Sequence, residues 1–218
     1  MTSSSKIIAI IPAFNEEKTI EKVVAGIRPY VSNIVVVDDC SLDATGMVAK
    51  RAGALVVRHT QNRGYDKSID DGFLEAYKQG ADIMVTFDAD GQHRPEDLKK
   101  ITDMIVKGEA DLVVGQRENI THFGEKIFAL YTNFFFKVKD PLSGLKAYSK
   151  KVYEAMGHFD TISSIGTQLM IGAVRKGFVL KTVPIIVKER EDNSRFYAKS
   201  FKANYKILKA LIKLILFE

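Results

Sequence analysis

The 218-residue chain has a single cysteine, Cys40, so no internal disulfide framework can form, and a reducing compartment suits it. No uninterrupted apolar run reaches the roughly 18 to 20 residues that a helix needs to cross a bilayer. The opening MTSSSK carries no apolar h-region, so no secretory signal is expected. Internal repeats and low-complexity linkers are absent as well, and the length fits one medium domain with a substantial core. Charge of one sign is not in great excess: the net charge is +5, with 27% charged and 46% apolar residues, as in an ordinary globular protein. That charge is uneven, however. From Lys188 onward basic residues outnumber acidic ones two to one, which points to an anionic partner such as a membrane, a nucleic acid or a phosphate.

What is present is an alternation of Val- and Ile-rich runs with helical patterns, the mark of an α/β protein with a parallel sheet. Strands are expected at Ile7–Ala13, Ile34–Asp38, Ala54–Arg58, Ile83–Asp88 and Leu112–Gly115. Helices fit Glu16–Arg28, Ala44–Arg51, Ile69–Gln79, Pro95–Lys107 and Gly124–Lys137, with Pro95 well placed in a first turn. After Asp140 the pattern reads as a strand at Leu145–Tyr148, helices at Val152–Met156 and Gln168–Arg175, and a strand at Val179–Val187. A last amphipathic helix begins near Ala198, so residues 1–197 read as the main domain and 198–218 as an appended helix.

In open α/β sheets ligands sit at the carboxyl ends of the strands. Those ends carry Pro12 to Glu16, Asp38-Asp39, His59, Asp88-Ala89-Asp90 and Gln116-Arg117. Grouped carboxylates repel one another, so a bound cation is the natural way to hold them together. The sharpest motif is VTFDADGQH at 85–93, where Asp88, Asp90 and Gln92 offer hard oxygen ligands suited to Mg2+ or Mn2+ rather than zinc. Such an ion would offset the charge of a departing nucleoside diphosphate. In VVVDDCSLDAT at 35–45, Asp39 is placed to accept hydrogen bonds from a base or ribose, whereas Asp43 reads as a helix cap.

These stretches, together with IIPAFNEEKTIEKVV at 10–24, resemble the family-2 glycosyltransferases, and most closely their polyprenyl-phosphate branch. QNRGYDKSIDDGF at 61–73, VGQR at 114–117, DPLSGLKAYSK at 140–150 and VPIIVKEREDNSR at 183–195 extend the likeness from about Ile7 to Arg195. The resemblance implies a GT-A fold, a mostly parallel central sheet flanked by helices. It implies a nucleotide site lined by Pro12, Phe14, Glu16, Val37 and Asp39. Asp88, Ala89, Asp90 and Gln92 would hold metal and diphosphate, with Asp90 catalytic. Arg117, Arg190 and Arg195 would grip donor or acceptor phosphate, a task that guanidinium forks suit. Asp140 opens the segment that closes over the sugar in relatives. Phe14 stands where relatives often carry tyrosine, Asp66 and Lys67 where they carry small residues, and Gln168 where they tend to carry glutamate.

The implied reaction is inverting transfer of a sugar from GDP-mannose, UDP-glucose or UDP-N-acetylglucosamine to a polyprenyl (dolichyl) phosphate, with no nucleic-acid partner. A lipid phosphate is already ionised and needs no general base, whereas a sugar hydroxyl does, and Asp140 is the candidate for that role. Lys199, Lys202, Lys206, Lys209 and Lys213 form a basic stripe opposite Phe201, Tyr205, Leu208, Ile212 and Ile215. That pattern fits a helix lying in the interface of a membrane, lysines toward anionic head groups, on the cytoplasmic face. Phe123, Ile127, Phe128, Tyr131, Phe134 and Phe135 make a second aromatic helix, either core or a flank of the lipid path. Transfer to a glycan or protein hydroxyl, and a non-catalytic membrane-binding module, are the competing readings. A sugar-phosphate nucleotidyltransferase is disfavoured, because no glycine-rich loop with arginine follows the first strand.

Overall fold

A computed structural model describes residues 5–118, 120, 122–188 and 200–217. Seven strands form one sheet: β1 (Ile7–Ala13), β2 (Asn33–Asp38), β3 (Leu55–Arg58), β4 (Ile83–Thr86), β5 (Leu112–Arg117), β6 (Lys146–Ser149) and β7 (Leu180–Ile185). Their spatial order is β3-β2-β1-β4-β6-β5-β7. All neighbours are parallel except β6, which runs antiparallel to both β4 and β5. The helices are α1 (Ile20–Ile27), α2 (Thr45–Arg51), α3 (Tyr65–Lys78), α4 (Pro95–Val106), α5 (Phe123–Phe136), α6 (Lys150–Met156), α7 (Gln168–Arg175) and α8 (Ser200–Phe217).

The parallel strands β1, β2 and β4 are mostly apolar because both their faces are covered. Ile8, Ile10, Val35 and Val37 face a layer built on Phe73 of α3, Phe128 of α5, Leu169 of α7 and Ile207 of α8. Ala9, Ile11, Ile34 and Val36 face the other layer, with Val24 of α1, Ala49 of α2 and Leu98 of α4. Burying each such aliphatic side chain contributes roughly 1.5–3 kcal/mol before the entropy of ordering is counted. The expected mostly parallel α/β sheet is thus present, and α8 is an integral part of one of its layers.

Two helices begin well away from their expected positions. The chain turns at Asn15, whose φ is 55°. The amides of Glu16 and Glu17 then donate to Thr45 Oγ1 and Asp43 Oδ2 across the rim, so α1 starts only at Ile20. Conversely α3 starts four residues before the apolar pattern does, after Gly64 turns with a φ of 85° and its carbonyl accepts from the Ser68 amide and hydroxyl. Helix α3 also approaches the sheet closely at Gly72. A Cβ there would lie 2.3 Å from Ile10 Cγ2 and 3.1 Å from Val37 Cγ2. Because both are branched methyls on buried strands, Gly72→Ala is expected to lower stability by about 1–3 kcal/mol. Urea denaturation followed by circular dichroism measures this, and an unchanged midpoint would show that the α3–sheet spacing is slack.

Candidate active site

A cleft of about 1340 Å3 opens at the carboxyl rim of the parallel strands. Its first end is built by the turns after β1, β2 and β3. Pro12, Phe14 and Glu16 line it, and the Asn15 amide and side chain tie this turn to Ser41 and Leu42 of the next one. Asp39 also lines it, only 4% exposed. Its Oδ1 accepts from the Arg63 amide at 2.7 Å and its Oδ2 from the Gly64 amide at 2.8 Å. His59 Nδ1 lies 2.7 Å from the same Oδ1. The carboxylate therefore fixes the loop into α3 while standing on the cleft wall. Val37, expected in this pocket, is instead fully buried in the core under α3. Strand alternation turns its side chain toward the helices and away from the rim.

Strand β4 ends at Thr86, so the acids of the DAD stretch stand in the loop beyond it. Asp88 Oδ2 lies 3.1 Å from His93 Nε2, and the Asp88 side chain is 29% exposed. Burial alone would raise its carboxyl, but His93, Arg117 and Lys146 outweigh that and hold it below the ordinary range. Gly144 makes room for it: a Cβ there would fall 1.8 Å from Asp88 Oδ2. Asp90 Oδ1 accepts from the Gln92 amide across Gly91, whose φ is 75°. Gln92 donates its side-chain nitrogen to the Lys188 carbonyl at 2.9 Å, and its own carbonyl accepts from the Lys188 amide. Gln92 lines the cleft together with Asp88 and Asp90. Among the described residues no three His, Cys, Asp or Glu side chains gather into a metal cage. The set fits a hard divalent ion that takes few protein oxygens and completes its shell with phosphate and water, the habit of Mg2+.

Arg117, at the end of β5, is clamped from behind. Its Nε and Nη2 donate to the two oxygens of Asp140 at 2.7 and 2.9 Å, and Nη2 also reaches Glu125 at 3.2 Å. Burial opposes the guanidinium charge, but these two carboxylates outweigh it and raise the pKa far above neutrality. Nη1 makes no hydrogen bond to the described residues, and Arg117 lines the cleft. Asp140 does not line it: its side chain is 1% exposed and is engaged by Arg117 through both oxygens. Arg190 and Arg195 lie outside the described residues.

Sequence reasoning did not single out a buried cluster behind the acids. Lys146 of β6 is 3% exposed and donates to the Gly166 carbonyl at 2.8 Å. Burial pulls its pKa down to about 8, against the upward pull of Asp140, Asp66, Asp160 and Asp88. Asp66 accepts from the Gly166 amide at 2.7 Å. Burial, then the charge of Asp160, pushes its carboxyl up to about 7. Asp160 in turn accepts from the amides of Ile162, Ser164 and Gly166. It pins a tight loop in which Ser163, Ile165 and Gly166 have φ of 59°, 57° and 67°. The available signal was a lone lysine within the apolar run Leu145–Tyr148, at a position that alternation turns inward.

The far end of the cleft is walled by α8, which carries Lys206, Lys209 and Lys213 there. These lysines were expected on a membrane-facing stripe. The structure turns them to the cleft, because α8 seats a different stripe, Ala203, Ile207, Ala210, Leu211 and Leu214, in the core. Lys199 and the side chains of Phe201 and Lys202 lie outside the described residues. Of the expected apolar stripe, Tyr205, Ile212 and Ile215 are exposed and Leu208 is half-buried.

The fold is that of the GT-A glycosyltransferases, and comparison with known proteins supplies the family. Residues 8–163 match Glycosyl transferase family 2, and the chain belongs to that family. Among its relatives is the UDP-N-acetylglucosamine–dolichyl-phosphate N-acetylglucosaminyltransferase of Methanococcus voltae, 34% identical over 69% of this chain and 72% of that protein. Another is the polyprenol monophosphomannose synthase of Mycolicibacterium smegmatis, 29% identical over 86% of this chain and 79% of that protein. Among solved structures, glucosyl-3-phosphoglycerate synthase of Mycobacterium tuberculosis, in complex with Mn2+, uridine diphosphate and its product, shares the fold. Its TM-score is 0.72 at 21% identity, over 96% of this chain and 81% of that one.

The raised Asp66 carboxyl sets a pH dependence. From the ordinary carboxylate range up to about 7 the folded protein keeps a proton at Asp66 that the unfolded chain has released, so this position loses stability as pH rises through that window. Asp66→Asn retains an acceptor for the Gly166 amide and removes the titration. Its Tm relative to wild type is expected to climb between about pH 5 and about pH 8. Thermal unfolding at the two pH values checks this, and a difference that does not change with pH would show Asp66 ionised throughout.

Proposed function

We propose that the chain transfers a sugar from a nucleotide-sugar to a polyprenyl phosphate, with inversion at the anomeric carbon. The observation that carries this reading is the engagement of Asp140. A hydroxyl acceptor needs a general base, and the acid expected to serve is buried with both oxygens held by Arg117. A phosphomonoester is already ionised at neutral pH and needs positioning instead. Arg117, oriented by Asp140 and Glu125, keeps one guanidinium nitrogen available for such an anion. The named activities of the Methanococcus and Mycolicibacterium relatives agree with a polyprenyl-type acceptor, and they involve different sugars. GDP-mannose, UDP-glucose and UDP-N-acetylglucosamine therefore all stand as donors.

Pro12, Phe14, Glu16 and Asp39 would hold the nucleoside, and Asp88, Asp90 and Gln92 would hold Mg2+ or Mn2+ next to Ala89. Bound there, the ion would supply charge neutralisation for the diphosphate as it departs. His93 keeps Asp88 ionised and aimed, and Gly144 gives it space. Arg190 and Arg195 are assigned to phosphate by the likeness of their motif. We place the enzyme peripherally on the cytoplasmic face of a membrane. Helices α5 and α8 pack together and leave Phe123, Leu130, Phe134, Ile212 and Leu216 exposed, more apolar surface than isolated positions would give. Among the described residues no helix is long and apolar enough to span a membrane.

Two outcomes are expected. Asp90→Ala should lower the rate of sugar transfer into an organic-extractable product by at least about 10²-fold, as removal of one strong charge stabiliser does. Chelation should abolish that product and Mn2+ or Mg2+ restore it; full turnover in excess chelator contradicts the metal assignment. Phe134→Ser with Ile212→Ser should release the protein from anionic vesicles in a flotation assay, since each buried side chain contributes roughly 1.5–3 kcal/mol. Equal flotation of variant and wild type would place the membrane contact elsewhere.

A further inference from the structure

We propose that Tyr65 contacts the transferred sugar and is a specificity-determining residue of the donor site. Its ring forms a floor under the hexose, and its hydroxyl donates to one of the sugar's oxygens. The proposal rests on the reading of the chain as a nucleotide-sugar transferase, and assigns a residue to the one part of the donor that the nucleoside turns and the acidic loop do not hold.

Tyr65 opens α3 between two anchors. The amide of Gly64, just before it, donates to Asp39 Oδ2 at 2.8 Å, at the nucleoside end of the cleft. Asp66, just after it, accepts from the Gly166 amide at 2.7 Å. Gly166 is held a second time through its carbonyl, which accepts from Lys146. The backbone on either side of Tyr65 is therefore tied to two different walls, and its side chain lines the cleft between them. The ring lies against Gly166: its Cε1 is 3.7 Å from where a Cβ on that glycine would stand.

Tyr65 is 39% exposed, and its hydroxyl makes no hydrogen bond to the described residues. Enclosure by the cleft, then the charges of Asp88 and Asp66, with a smaller push from Asp90, hold the hydroxyl well above its ordinary pKa. A phenol that stays protonated beside carboxylates is a neutral donor, and sugar oxygens accept from such donors. Asp88 and Asp90 are the acids proposed to seat the ion and the diphosphate, and the sugar is the next group along the donor. The adjoining loop supplies a second hydroxyl. Ser163 lines the cleft, is exposed, and makes no hydrogen bond through its side chain to the described residues. Its φ of 59° is sustained by Asp160, which accepts from the amides of Ile162, Ser164 and Gly166. A hexose presents an apolar face of C–H groups and a rim of hydroxyls. One part-exposed aromatic ring with two hydroxyls beside it matches both demands.

Calorimetric titration of the full chain in excess Mg2+ tests this. The probes are UDP against UDP-glucose and UDP-N-acetylglucosamine, and GDP against GDP-mannose. The readout is the sugar's own contribution, the ratio of affinities for nucleotide-sugar and bare diphosphate in the set that the wild type binds. Tyr65→Ala is expected to weaken the nucleotide-sugar at least about tenfold and the bare diphosphate less than about twofold. Tyr65→Phe keeps the ring and loses only the hydroxyl, with an expected loss of about three- to tenfold. The Tm of both variants should stay close to that of the wild type, because the side chain is partly exposed. In turnover, KM for the nucleotide-sugar should rise while KM for a short prenyl phosphate holds. Equal weakening of diphosphate and nucleotide-sugar, or no weakening of either, overturns the proposal. A rise confined to KM for prenyl phosphate also overturns it and moves Tyr65 to the acceptor. A sugar-dependent loss in Tyr65→Ala, with no transfer to prenyl phosphate by the wild type, supports the role of Tyr65 and removes the proposed acceptor. Failure of the wild type to bind any of these probes overturns both the proposal and the reading beneath it.

Discussion

One buried ammonium group holds together a rim otherwise made of carboxylates. Lys146 lies among Asp66, Asp88, Asp140 and Asp160, and its presence there follows from a single exception in the sheet: β6 runs against its neighbours. Pairing Thr86 with Lys146 puts the start of β6 at the carboxyl rim, with Gly144 just beyond. A parallel strand in that place would bring its other end to the cleft. The reversed strand therefore provides the cation that offsets the acids, the space that admits Asp88, and the carbonyl contact that fixes the loop at Gly166. Like charges confined at short range cannot all ionise without such compensation.

The cleft is organised by charge from that centre outward. Toward the nucleotide turns stand the acids of the β4 loop, the proposed seat of a divalent ion and a diphosphate. Toward α8 the wall carries Lys206, Lys209 and Lys213. Arg117 stands between, its orientation set by Asp140 and Glu125, so that it can face phosphate on either side. The proposed transfer from a nucleotide-sugar to a phosphomonoester would bring two anionic groups close together, and a graded distribution of this kind would separate them while keeping the reacting atoms near.

Helix α8 shows how one amphipathic segment can serve three surroundings. One stripe, Ile207, Leu211 and Leu214, is core; a second, Lys206, Lys209 and Lys213, is cleft wall; a third, Tyr205, Ile212 and Ile215, is exposed. The exposed stripe adjoins the exposed aromatics of α5, so the apolar surface and the basic wall share an edge.

Much of the architecture was legible in the residues. Continuous Val- and Ile-rich runs located the strands, and the acids following the β1, β2 and β4 runs marked the rim, because strand-forming composition and strand-end placement are local properties. The helix starts at Ile20 and Tyr65 were not, since the first depends on bonds to Asp43 and Thr45 and the second on the Gly64 turn, whose amide donates to Asp39. Val37 was misplaced because a likeness of motif does not say which face of a strand a side chain takes. The sequence by itself determined the sheet-forming segments, the acidic loop and the presence of a basic amphipathic helix. Only the tertiary structure decided that Lys146 sits among the acids, that Asp140 is engaged by Arg117, and that the α8 lysines turn to the cleft. The physical reason is that periodicity sets which residues share a face, while the partner of that face is chosen by packing between segments far apart in the chain.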